Sequence, residues 1–115
     1  MSVTIYGIKN CDTMKKAFNW LNQNDIAYDF HDYKREGIDQ THLDRWIDAA
    51  GWETVLNRSG MTFRKLDEAA KTDLDRDKAI SLMLVHPSMI KRPVIEHDGK
   101  VIVGFKPELY EQNFR

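Results

Sequence analysis

A chain of 115 residues with 42% hydrophobic and 30% charged side chains has the composition of one globular domain spanning residues 1–115. Its formal net charge of −1 gives no field that would gather nucleic acid, and no apolar run resembles a signal peptide or a membrane span. A single cysteine excludes an intrachain disulfide, and the four histidines (His31, His42, His86, His97) form no HxxxH pair, so no metal site is expected. These features predict a cytoplasmic monomer that binds neither membrane nor nucleic acid directly.

Val3 to Tyr6 is a short apolar strand pattern, followed by a loop from Gly7 to Asn10. Met14, Ala17, Phe18 and Leu21 then recur at the spacing of one helix face, and Asn22 to Asp25 ends that helix. A second strand is expected over Ala27 to Tyr33, where Tyr28 and Phe30 alternate with Asp29 and His31. Asp39 reads as the N-cap of the next helix, with Ile38 and Leu43 spaced for a hydrophobic staple. Leu43, Trp46, Ile47 and Ala50 form its inner stripe, and Gly51 marks its end. Residues 52–66 are irregular or short-helical. A helix from Asp75 to Val85 is expected to bury Ile80, Met83 and Leu84. It stops at His86 because a residue before proline is pushed out of helical dihedrals. Val94 to His97 and Lys100 to Val103 flank Asp98-Gly99, a type I′ hairpin signal, and Pro107 suits the first turn of a closing helix containing Leu109, Tyr110 and Phe114.

A strand–helix–strand start requires a parallel pair joined by a right-handed crossover. Adding the hairpin and the last helix predicts an α/β fold: a mixed four-stranded sheet with helices on both faces. This is the thioredoxin-like (glutaredoxin-like) architecture, with a helical insertion between its halves.

Cys11 stands at the turn between the first strand and the first helix. A helix N-terminus favours an anion, because its first amide groups lack partners and the peptide dipoles sum there to partial positive charge. An ordinary thiol, with a pKa near ~8.5, is only a few per cent ionised at neutral pH. The helix terminus supplies about 0.3–1 kcal/mol, so strong activation also needs cations. Lys9 and Lys15 are near in sequence, Asp12 opposes them, and Arg64 and Arg92 arrive on the segments Thr62-Phe63-Arg64-Lys65 and Ile90-Lys91-Arg92-Pro93. Taken singly, each of these cations reads as a solvated surface charge. Met14 occupies the place where a Cys-x-x-Cys redox protein carries its second thiol. Any disulfide made by Cys11 must therefore be resolved by an outside thiol.

Read together, four segments resemble the ArsC/Spx family, and most nearly its YffB-like branch, over nearly the whole chain. They are Ile5-Tyr6-Gly7-Ile8-Lys9-Asn10-Cys11-Asp12-Thr13; Asn57-Arg58 with Phe63-Arg64-Lys65; His86-Pro87-Ser88-Met89-Ile90-Lys91-Arg92-Pro93; and Gly104-Phe105-Lys106-Pro107. The resemblance implies that Cys11 is the nucleophile, that Arg64 and Arg92 bind oxyanion or stabilise the thiolate, and that Pro93 is cis. Lys106 takes the place of a third arginine, keeping charge but losing the planar fork that suits an oxyanion. Gly7 and Lys15 stand where the arsenate reductases carry a histidine and an arginine.

These departures turn the expectation away from arsenate and toward a monothiol, glutathione-dependent thiol oxidoreductase. No cofactor is bound, and glutathione serves as co-substrate, with glutaredoxin or a glutathionylated protein as further partners. Cys11, Arg64 and Arg92 are the expected catalytic residues. Lys9, Asn10, Lys15, Arg64, Arg92, Pro93 and Lys106 are expected to bind substrate or glutathione. Two alternatives stand beside it: an arsenate reductase coupled to glutathione or glutaredoxin, and a non-catalytic Spx-type regulator that binds RNA polymerase.

Overall fold

The strand β1 (Val3–Gly7) is the hub of the protein, and four of its five residues are buried. From it the chain passes through α1 (Asp12–Gln23) to β2 (Asp29–Asp32), which lies parallel to β1 with Ile5 opposite Phe30 and Gly7 opposite Asp32. A single turn of helix, α2 (Tyr33–Glu36), follows directly. After a helical insertion, β3 (Val94–His97) runs antiparallel to β1 and turns into β4 (Lys100–Val103). The sheet order is therefore β2-β1-β3-β4, closed by α8 (Pro107–Phe114), and the mixed four-stranded sheet is the one the strand and hairpin patterns predict. The computed structural model describes residues 3–9 and 11–114. Contacts divide the chain into two compact units: one takes the chain up to Glu36 and again from Arg92, the other is Gly37–Lys91.

In the sheet unit, strand alternation puts Ile5, Ile95 and Ile102 side by side in one cross-strand row. Met14, Ala17 and Leu21 of α1 and Tyr110 of α8 complete the same apolar cluster. Phe18 is half-buried and bridges outward, stacking on Tyr28 and meeting Phe30 edge-on. The hairpin tip has Asp98 at φ 49° and Gly99 at φ 76°, the two left-handed residues that a type I′ turn requires. Tyr110 is fully buried and its hydroxyl donates to the Gly104 carbonyl at 3.0 Å. Tyr110→Phe leaves that carbonyl unpaired in a dry place, so a loss of about 1–2 kcal/mol is expected in urea unfolding.

The inserted unit carries α3 (Gln40–Ala50), the short helices α4 (Trp52–Val55), α5 (Met61–Arg64) and α6 (Glu68–Lys71), and α7 (Arg76–Val85), followed by a 3₁₀ turn over Pro87–Met89. Asp39 caps α3 as its sequence predicts, accepting the His42 amide at 2.9 Å. Arg76 ties α7 to α3 through Asp44 and Asp48 at 3.2 and 2.8 Å. Leu56 and Ile90 form an antiparallel bridge that closes the insertion on itself.

Two expectations need correction. The second strand is shorter than its pattern, because the Asp32 carboxylate accepts the Lys34 and Arg35 amides and turns the chain into α2 at Tyr33. Leu84 is 37% exposed rather than buried. The buried stripe of α7 is Ala79, Ile80 and Met83, and at 100° per residue Leu84 lies at its margin.

Candidate active site

All the features of the site in the sheet unit follow from where the chain leaves β1. Cys11 comes just past the C-terminal end of β1. Tyr33 comes just past the C-terminal end of its parallel neighbour β2, whose Asp32 pairs with Gly7. Arg92 comes just before β3, whose Val94 pairs with Tyr6 in the antiparallel sense. Topology thus delivers a thiol, a phenol and a guanidinium to one edge of the sheet.

Cys11 is itself the N-cap residue of α1, with extended dihedrals (φ −139°, ψ 132°), and its carbonyl accepts the Lys15 amide at 3.0 Å. Its thiol is free and partly buried. Burial alone would push the thiol pKa up. The backbone N–H groups of Met14 and Thr13 and the Arg92 guanidinium, by hydrogen bond and by charge, outweigh that and hold it below the ordinary thiol value. The sulfur does not meet the strict geometry of a side-chain cap. The two amides nonetheless lie near enough to stabilise an anion there, as a helix N-terminus does.

The peptide between Arg92 and Pro93 is cis, in line with the resemblance. Pro93 is buried, and its carbonyl accepts the Gly104 amide at 2.8 Å. Met14 is completely buried in the core cluster. A Cβ placed on Gly7 would collide with the Met14 thioether, so the two departures at positions 7 and 14 occupy one space.

The other described candidates are surface residues of their own units. Lys9 is exposed and borders an open depression of about 550 Å³ with Phe30, Asp32, Arg35 and Glu36. Lys15 is exposed on the first turn of α1, and Lys106 is exposed just before α8, where its carbonyl accepts the Tyr110 amide at 3.1 Å. Arg64 is an exposed residue at the end of α5 in the inserted unit, and its carbonyl accepts the Lys71 ammonium at 2.9 Å. Asn10 lies outside the described residues.

Tyr33 is the residue that the strand pattern overlooks. It is fully buried, hydrogen-bonded to Arg92 and within electrostatic range of Cys11. Burial pushes its phenol pKa well up, so the hydroxyl stays neutral. The signal for it lay in topology: residues that follow the C-terminal ends of adjacent parallel strands end up as neighbours.

Known proteins similar to this chain are readily found. A solved structure described as the YFFB (PA3664) protein is 61% identical and superposes with a TM-score of 0.96, covering 99% of this chain and 100% of that one. The arsenate reductase (ArsC) related protein from Brucella melitensis is 59% identical with a TM-score of 0.79, over 100% of this chain and 96% of its own. A global transcriptional regulator Spx from Streptococcus mutans is 25% identical over 108 residues, covering 92% of this chain and 78% of the regulator. The model of the ArsC family matches residues 6–113. With a thioredoxin-like sheet, a thiol at the start of its first helix and that match over nearly its full length, the chain belongs to the ArsC family.

Proposed function

We propose that the protein is a monothiol oxidoreductase that uses glutathione as its co-substrate. The observation that carries this reading is a half-exposed Cys11 whose thiolate is favoured by the Met14 and Thr13 amides and by Arg92, with buried Met14 where a resolving thiol would stand. The Cys11 thiolate attacks the glutathionyl sulfur of a mixed disulfide. The substrate leaves as a thiolate and takes up a proton, and Cys11 now carries glutathione. A second glutathione, as thiolate, attacks that adduct, regenerating the Cys11 thiolate and releasing oxidised glutathione. The net change is one exchange: a single glutathione thiol enters and is oxidised into the new disulfide, and the substrate sulfur is reduced to the thiol and keeps the proton. Within the sheet unit, Lys9, Arg92 and Lys106 offer charges for the glutathione carboxylates, and the backbone at Pro93 offers a partner for its peptide.

The test is mass spectrometry after brief exposure to oxidised glutathione, followed by reduced glutathione. A rapid glutathionyl adduct on Cys11 that reduced glutathione then clears is the expected result, with turnover of a glutathionylated peptide. A thiol inert to oxidised glutathione overturns the reading. Similarity to the ArsC-related protein of Brucella melitensis favours arsenate as a second substrate to be assayed in parallel. Coupled arsenate turnover without activity on mixed disulfides would replace the first reading by the second. Polymerase binding that is equal in wild type and Cys11→Ser, with no turnover of either substrate, would point instead to a regulator like Spx.

A further inference from the structure

Tyr33 has no part in the thiol chemistry as usually drawn, yet the sheet brings it to the same edge as Cys11 and Arg92. Asp32 is opposite Gly7 on one side of β1, and Val94 is opposite Tyr6 on the other. The residues just beyond those pairs, Tyr33 and Arg92, therefore flank the exit of β1, from which the chain runs to Cys11. The Asp32 carboxylate fixes the turn at Tyr33 by accepting the Lys34 and Arg35 amides at 3.1 and 3.3 Å. That turn buries the whole phenol.

We propose that Tyr33 is a positioning residue for the thiolate: its buried hydroxyl accepts a hydrogen bond from the Arg92 guanidinium and holds that cation against the Cys11 sulfur. A guanidinium has five donors and no acceptor, so the phenol oxygen must be the accepting partner. An arginine side chain is otherwise rotamer-rich, and each hydrogen bond that fixes its plane concentrates its charge in one direction. Tyr33 is also suited to remain neutral. The nearby Asp32 and the Cys11 thiolate, both negative, add to burial in opposing a phenolate, against the pull of Arg92. A phenolate there would neutralise the guanidinium and remove its benefit to the sulfur.

This inference requires only the thiolate character of Cys11 in the proposed function, and its test contains no glutathione. The ultraviolet absorbance of the thiolate is titrated against pH in wild type, Tyr33→Phe, Arg92→Ala and the double variant. Tyr33→Phe is expected to move the midpoint to higher pH, lowering the thiolate fraction at neutral pH about threefold. In the Arg92→Ala background the same change is expected to add nothing, because its route to the sulfur is gone. An unmoved midpoint in Tyr33→Phe, or an undiminished effect in the double variant, overturns the proposal. Should Tyr33→Phe fold poorly, NMR of labelled tyrosine ring carbons in unmutated protein decides the matter. The Tyr33 signal must follow the Cys11 titration and change in Arg92→Lys, and a signal blind to both overturns the proposal. Failure of glutathione turnover with these shifts intact would strike the functional reading and leave this one standing.

Discussion

Arg92→Ala is expected to produce alkylation profiles that cross those of the wild type when the rate at Cys11 is plotted against pH. Arg92 acts on the sulfur both by hydrogen bond and by charge, and the sulfur is partly open to water. Screening therefore keeps the contribution near the low end for a charged contact, about 1 kcal/mol. That corresponds to roughly fivefold less thiolate below the midpoint. A more basic thiolate is also a better nucleophile, by about twofold for such a change at a Brønsted slope of ~0.4–0.5. At neutral pH the variant should thus react about two- to threefold more slowly, while its plateau at high pH rises about twofold. Parallel loss at every pH would mean that Arg92 binds the reagent and leaves the sulfur alone.

The sign of the accompanying stability effect follows from the same shift. The Cys11 pKa is depressed by folding, so ionisation favours the folded state. That increment is fully present above the pH at which the thiol ionises in the unfolded chain, and it fades as pH falls through the lower, folded value. In Arg92→Ala the slope of stability against pH across that interval should flatten.

Most of the sheet and the location of the thiol were legible in the sequence because they rest on local signals. A short apolar run marks β1, the Asp98-Gly99 pair fixes the hairpin, and Asp39 announces α3. Arg92 needed more than local pattern. Arg92 reads as a surface charge until its place before β3 is set beside the exit of β1. Tyr33 was lost to strand alternation because the signal that ends β2 is an Asx-type cap at Asp32, which competes with continued extension. Leu84 was misplaced for a different reason. A helix stripe has a centre, and hydrophobic character does not say which apolar residues fall at its margin. Among the described residues no helix is long and apolar enough to cross a membrane.

The residue at position 7 is decided by volume. Gly7 lies in a buried stretch of β1 with no left-handed dihedral to defend, so what makes it glycine is space. The Met14 thioether fills that space from the first turn of α1, and Met14 is completely buried. Gly7→Val is expected to cost about 2–3 kcal/mol by overpacking, despite the better strand propensity of valine. Met14→Ala is expected to cost roughly 2–4 kcal/mol by opening a cavity. Because each change relieves the other, the double variant should cost about 1–2 kcal/mol less than their sum, read from urea unfolding midpoints. Strict additivity would mean that the two side chains do not share one volume. The coupling also has a chemical consequence. Any side chain at position 7 meets the Met14 thioether, so a histidine there would have to displace Met14, and in this core the thiolate is left to the helix amides and Arg92.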